Sequence, residues 1–226
     1  MLLISGIKDS GNFFKKIGQE DAIQKTFKVG TRGSALALTQ SRWVADHLRE
    51  RHPGSVVELV TIRTKGDIMQ DVSLAKIGGK GLFIKEIEEA LLRGEVDLAV
   101  HSMKDLPAEL PPGLAIACVP EREDPHDVLI CRENVSSLAE LPHGAVIGTS
   151  SLRRAAQIRA VRPDAEIVDI RGNVDTRLRK LHIGTMHAIV LARAGLNRLG
   201  LAGQHAIVNL PFDVMLPAAG QGALAI

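Results

Sequence analysis

From Phe27 onward the chain alternates short apolar runs with longer amphipathic stretches, and this alternation restricts its fold more than any other feature. Residues 27–31 and Val56–Thr61 read as strands. Between them lies a helical stretch that Ser34 caps and that runs to about Arg51, where Pro53-Gly54 stops it. Residues 64–81, built around Lys76-Ile-Gly-Gly-Lys-Gly81, read as a loop. Residues 82–93 place Phe83, Ile87, Ala90 and Leu91 at helical spacing, and 96–101 form a third strand. The stretch 107–125 contains five prolines and the run Glu121-Arg-Glu-Asp124, which marks a boundary. Alternation then resumes, with strands at Asp127–Cys131, 145–148, 166–170 and Ala188–Ala192 and helices from Ser150 and over 174–182. Strands joined by helical crossovers predict a parallel sheet with helices on both faces. The 226 residues suffice for two α/β lobes.

Composition removes several alternatives. The chain is 45% hydrophobic, with 28 basic against 26 acidic side chains, so it is a soluble globular chain rather than a disordered one. No run approaches the about 18 uncharged apolar residues of a membrane helix. Aromatics make up only 3%, too few for the stacking platforms of single-strand nucleic-acid binders, and a net charge of +2 is too small for a general polyanion binder. Cys118 and Cys131 cannot form a disulfide framework, and no zinc spacing occurs, so a reducing, cytoplasmic setting is expected. Cys118 lies in the apolar run Leu114-Ala-Ile-Ala-Cys-Val119, read here as a buried strand. Residues 1–26 hold four lysines, three acids and no arginine; they fit neither a signal nor a transit peptide and read as a loose extension.

Ligands of open α/β sheets sit at the carboxyl ends of strands, so the polar residue after each strand is a site candidate. These are Arg32, Thr64-Lys-Gly-Asp67, His101-Ser-Met-Lys-Asp105, Thr149-Ser-Ser-Leu-Arg-Arg154 and Arg171-Gly-Asn173. In Gly148-Thr-Ser-Ser-Leu-Arg-Arg154 three hydroxyls stand at a helix start, where free amides and the helix dipole favour an anion. Arg153 and Arg154 add forked donors suited to carboxylate or phosphate. Between Gly144 and Leu199 ten Lys/Arg face four Asp/Glu, which favours an anion site over an ordinary cap with solvated arginines. The Lys76–Gly81 segment lacks the Ser/Thr a phosphate loop needs after its lysine, and no GxGxxG opens a helix. A glycine loop with two lysines could still fold over an anionic ligand; a plain surface loop is the comparable reading. Asp105 lies beside Lys104 and ahead of Leu106-Pro107. A carboxylate beside a cation is favoured in its charged form and can stabilise positive charge or take a proton; the plainer alternative is a turn aspartate paired with Lys104. His101 and His126 read as structural.

Together, Thr31-Arg-Gly-Ser-Ala-Leu-Ala-Leu38, Leu74-Ala-Lys-Ile-Gly-Gly-Lys-Gly-Leu-Phe83, His101-Ser-Met-Lys-Asp-Leu-Pro107, Gly148-Thr-Ser-Ser-Leu-Arg-Arg154, Arg171-Gly-Asn173 and Leu216-Pro-Ala-Ala-Gly-Gln-Gly222 resemble the porphobilinogen deaminase (hydroxymethylbilane synthase) family, from about Phe27 to Ile226 and in the family's order. The resemblance implies a transferase of tetrapyrrole and heme biosynthesis. Such an enzyme joins four porphobilinogen molecules head to tail, with loss of ammonia, on a dipyrromethane cofactor to give hydroxymethylbilane. It also implies two α/β lobes similar to the periplasmic-binding-protein (type II) fold, followed in the family by a small third domain. Asp105 would be the catalytic carboxylate at the pyrrole nitrogens. Arg32, Ser34, Lys104, Ser150, Arg153, Arg154, Arg171 and Arg177 would bind acetate and propionate groups, with Ser102, Thr149, Ser151, Gly172, Asn173 and Gln221 on the same motifs. Lys76, Lys80 and Phe83 would lie on a loop over the cleft. The implied partners are porphobilinogen and polycarboxylate pyrrole chains, with no nucleic acid or membrane, and the implied state is a monomer.

One departure follows from the same comparison. The family attaches its cofactor to a cysteine in the third domain, and neither Cys118 nor Cys131 matches that cysteine's context. The expected organisation is an extension over 1–26, a first lobe of 27–122 plus an incomplete 217–226, and a second lobe of 123–216. A chain so composed is expected to carry no covalent dipyrromethane and to be inactive alone. The competing class is a non-catalytic two-lobed anion-binding protein, which would keep the arginines and have no need of Asp105.

Overall fold

The structure, a computed structural model, describes residues 26–64, 66, 84–203 and 205–226. The first lobe opens with β1 (Thr26–Thr31), α1 (Ala35–Arg51) and β2 (Val56–Thr61), then α2 (Lys85–Leu92) and β3 (Leu98–Ala99). Strands β1, β2 and β3 form a parallel sheet in the order β2-β1-β3. The Ser34 hydroxyl caps α1 by accepting from the Ala37 amide at 3.3 Å. Val44, Ala45 and Leu48 on one face of α1 bury against Phe27, Val29 and Val57 of the sheet.

The strand expected over 96–101 is divided. β3 pairs with β1, but β4 (His101–Ser102) turns to pair antiparallel with β10 (Leu224–Ala225), the segment that returns from the second lobe. The run 114–119 is not the buried strand expected of it. Cys118 is its one buried residue and Leu114 and Ala117 are half-buried, while Ala115, Ile116 and Val119 are exposed. It lies along an edge, where the amides of Ala117 and Cys118 donate to the Ile226 carbonyl and Ile226 donates back to Cys118.

The second lobe holds β5 (Asp127–Cys131), β6 (Val146–Gly148), α3 (Leu152–Val161), β7 (Glu166–Val168), α4 (Val174–Ile183), β8 (Ala188–Ala192), α5 (Arg193–Arg198) and β9 (Ile207–Asn209). Its sheet runs β7-β6-β8-β5-β9. The expectation of a wholly parallel sheet is corrected here. β6 pairs parallel with β7 and β8, but β5 enters from the other lobe and runs antiparallel to β8 and β9. All of β5 is buried, with alternate residues serving two apolar layers: Leu129 with Ile147, Ile158 and Met215, and Val128 and Ile130 with Leu178, Leu181 and Leu196. Helices on both faces are as expected. Gly148 ends β6 where a Cβ would meet Met186 Sδ at 2.6 Å and Ile189 at 3.0 Å, so a side chain there would require Met186 to move.

Among the described residues the chain crosses between lobes twice, and the crossings lie against each other. The Glu123 amide donates to Gly222 O at 3.1 Å, and Arg122 Nε donates to Gln221 O at 2.8 Å. Gly222 has φ +88, and a Cβ there would collide with the Glu123 carbonyl, so this close approach requires glycine. No helix among the described residues is long and apolar enough to cross a membrane.

Candidate active site

The strand ends of both lobes converge on a cleft of about 240 Å³. The first lobe contributes Arg32 after β1, Ser34 and Gln40 of the α1 region, Ser102 from β4, and Lys104 and Asp105 from the 3-10 turn Met103–Asp105. The second contributes Arg154 of α3, Gly172 and Asn173, Asp175 and Arg177 of α4, and Arg198 of α5. Among the described residues, five cations (Arg32, Lys104, Arg154, Arg177, Arg198) thus face two carboxylates, Asp105 and Asp175.

Asp105 is exposed to the cleft and accepts no hydrogen bond from a described residue. Its charge acts on Lys104 beside it and on Arg154 and Arg177 across the cleft. Lys104 Nζ lies 3.5 Å from Gln221 Oε1. Lys104 is exposed at the cleft, yet the protein around it, and then the Arg154 charge, lower its pKa to about 8, opposed by Asp105 and Asp127. An anionic ligand prefers the protonated ammonium. Its affinity is therefore expected to fall as pH rises through about 8, by up to about tenfold per pH unit, and Lys104→Met should flatten that profile. Calorimetric titration with porphobilinogen across pH 7–9 measures this; a flat wild-type profile would contradict it.

Behind the cleft lies a charged cluster whose carboxylate the motifs did not single out. Asp127, with 0% exposure, opens β5. Its Oδ1 accepts from Arg154 Nε at 3.0 Å and Nη2 at 2.6 Å, and from Gln221 Nε2 at 2.9 Å. Arg153 Nη2 lies 2.7 Å from Oδ2 as an ion pair, without an aligned hydrogen bond. Burial pushes the Asp127 carboxyl upward, but the Arg154 charge, the hydrogen bonds from Arg154 and Gln221 and the Arg153 contact hold it below its ordinary value. The one sequence signal was an acid opening an apolar strand, where a buried charge demands a partner. Gln40 and Arg198 were missed as well. Gln40 Oε1 accepts from Arg198 Nη1 at 3.1 Å and Ser102 Oγ at 3.3 Å, so α5 of the second lobe is tied to the first.

Of the residues singled out from sequence, Arg32, Ser34, Ser102, Lys104, Asp105, Arg154, Gly172, Asn173 and Arg177 line the cleft together. Thr149, Ser150, Ser151, Arg153, Arg171 and Gln221 do not. The three hydroxyls are engaged internally: Thr149 Oγ1 accepts from the Ser151 amide, Ser150 Oγ donates to Ile170 O at 2.6 Å, and Ser151 caps α3. Arg171 pairs with Asp169 at 3.1 Å. Arg153 also donates to the Leu216 carbonyl, and Gln221 is fully buried between the crossings. Lys76, Lys80 and Phe83 lie outside the described residues. His126 stacks on Phe212 and pairs with Asp124, and His101 faces a larger apolar cavity of about 450 Å³ in the first lobe. Burial, then Arg32, lowers its pKa to about 4. Among the described residues no cluster of His, Cys, Asp and Glu could hold a metal ion.

The family model for porphobilinogen deaminase, dipyromethane cofactor binding domain, matches residues 27–226. The chain belongs to this family. It is 58% identical over 202 residues to the porphobilinogen deaminase of Geobacter metallireducens, covering 89% of this chain and 63% of that protein. To the porphobilinogen deaminase of Syntrophus aciditrophicus it is 60% identical over 202 residues, covering 88% and 64%. The chain thus spans less than two thirds of the length of these relatives. Among solved structures, an ancestral cationic amino acid solute binding protein matches with TM-score 0.49 and 16% identity, over 96% of this chain and 85% of that one.

Proposed function

We propose that the cleft binds porphobilinogen and the polycarboxylate pyrrole chains made from it, and that Asp105 serves their head-to-tail joining with loss of ammonia in a chain of the family's length. What supports this reading is the setting of Asp105: an exposed carboxylate without a described hydrogen-bond partner, in a family-matched cleft whose cations come from both lobes. Each pyrrole brings two carboxylates, and Arg32, Lys104, Arg154, Arg177 and Arg198 offer charge and forked donors for them. Once one unit has lost its amine as ammonia, the free ring carbon of its neighbour bonds to the methylene left behind; Asp105 stabilises the positive charge this puts on the attacking ring's nitrogen and takes the proton that the bonded ring carbon gives up.

The same donor set suits the dipyrromethane, whose rings carry carboxylates of the same kind. Arg32, Lys104, Arg154 and Arg177 would hold it, and when bound it supplies the pyrrole to which new units are joined. Cys118 and Cys131 are poor attachment points, because both are buried and burial raises their thiol pKa values, that of Cys131 to about 11. Turnover is therefore to be read in a chain of the relatives' length, and we expect none from the present chain alone. We place 27–122 with 217–226 in one lobe and 123–216 in the other, and read the protein as a cytoplasmic monomer.

Titration calorimetry with porphobilinogen tests the binding reading. Arg177→Leu is expected to weaken binding about tenfold, the scale of one charge-assisted hydrogen bond. Wild-type affinity should fall as salt rises. Identical isotherms for variant and wild type would reject Arg177 as a ligand contact, whereas binding without ammonia release in the family-length chain would favour the non-catalytic alternative.

A further inference from the structure

We propose that Asp127 is the positioning residue of the cleft: it holds the Arg154 guanidinium and, through Gln221, the Lys104 ammonium at a set separation, so that the site selects ligands with two suitably spaced carboxylates over single anions. The inference rests on reading the cleft as a carboxylate-binding site. Three features support it.

First, Asp127 occupies the meeting point of the two crossings. It begins β5 directly after the first crossing, and Gln221 of the second bonds both its Oδ1 at 2.9 Å and Pro125 O at 2.7 Å. The other end of the Gln221 amide faces Lys104 of the first lobe at 3.5 Å. A single buried carboxylate is therefore connected to cations of both lobes.

Second, the two adjacent arginines are held unequally. The side chain of Arg154, 8% exposed, makes a two-pronged contact with Oδ1 and donates to Val190 O at 3.0 Å. A guanidinium so braced offers its charge to the cleft at one position. The side chain of Arg153, 28% exposed, reaches Oδ2 only as an ion pair, lies outside the cleft lining, and leaves Oδ2 without an aligned donor. Arg154 is the fixed member and Arg153 the looser one.

Third, a carboxylate in this place has two opposing effects on anion binding. Its negative charge weakens attraction for any anion, while its hydrogen bonds fix where the cations stand. Removing the charge while keeping the shape separates the two effects, since a small single anion needs charge and a pyrrole dicarboxylate needs geometry.

The test compares Asp127→Asn with wild type by calorimetry, using porphobilinogen and inorganic phosphate as separate probes. Porphobilinogen binding is expected to weaken about tenfold or more, the scale of a lost charge-assisted hydrogen bond, while phosphate binds as well as before or more tightly. If both ligands weaken in parallel, Asp127 is merely structural and the proposal fails. If both tighten, Asp127 only neutralises charge and the proposal fails again. A wild type that binds neither probe rejects the reading of the cleft itself. Gln221→Leu supplies the check should the first variant not fold. It cuts the arm to Lys104 while leaving the arginines paired, and is expected to lower porphobilinogen affinity at unchanged phosphate affinity. An unchanged ratio of the two affinities in that variant would overturn the proposal.

Discussion

Replacing Asp105 with Asn in a chain of the relatives' length is expected to leave folding and anion binding in place and to lower turnover by about 10²–10⁴, the range for losing a positioned acid–base group. The fold should tolerate the change because Asp105 is exposed on a short 3-10 turn and accepts no hydrogen bond from a described residue. Binding should survive because the cleft keeps its five cations. What is lost is the one negative charge of the turn, which acts on Lys104, Arg154 and Arg177 and would face the ring nitrogens. Ammonia release by the purified variant, set beside its porphobilinogen isotherm, measures the effect. Near-normal turnover would remove Asp105 from the chemistry.

The largest effect on stability is expected from Arg154→Leu. Arg154 is 7% exposed and Asp127 0%, so the substitution strands a buried carboxylate with Arg153 and Gln221 as its remaining partners. Breaking a buried pair from one side costs about 3–5 kcal/mol, because the other charge stays desolvated. The pH dependence gives the effect a signature. In the wild type the carboxyl is depressed, so its contribution is present above the ordinary carboxylate pKa and is lost as pH falls through its folded value. Without Arg154 the burial penalty dominates and the carboxyl is raised instead. Proton uptake by the folded variant then relieves part of the cost as pH falls. The deficit against wild type should accordingly be larger at pH 7 than at pH 5 in urea unfolding. A deficit below about 1 kcal/mol, or one independent of pH, would show that Asp127 finds adequate solvation without Arg154.

Most of the second lobe was legible because its apolar runs alternate with stretches of helical spacing. β8 falls where the apolar run Ala188–Ala192 placed it, and α4 follows its helical spacing over Val174–Ile183. β6 and β7 are no longer than β9, but a helical stretch follows each and completes the alternation; none follows β9 or β10, and α5 starts with no break after β8. Strand direction was misjudged for a related reason. Apolar β5 looks the same read either way, and its antiparallel pairing with β8 depends on where the first crossing delivers the chain. Apolarity alone predicts burial of the 114–119 run, whereas its place along an edge leaves Ala115, Ile116 and Val119 exposed.

The sequence by itself determined which residues cap, alternate and punctuate, and hence the two α/β lobes and the strand-end positions of Arg32, Lys104 and Asp105. These follow from local rules: a hydroxyl at a helix start, a period of two in a strand, a polar residue where a strand stops. Only the tertiary structure decided that Arg154 and Arg153 share one buried carboxylate, that Gln221 joins it to Lys104, and that Gln40 meets Arg198 from the other lobe. Those partners lie between 26 and 158 residues apart in the chain. No local period or motif encodes such pairings; they arise because two crossings bring distant segments together and a desolvated charge must then be met by whichever donors lie within reach.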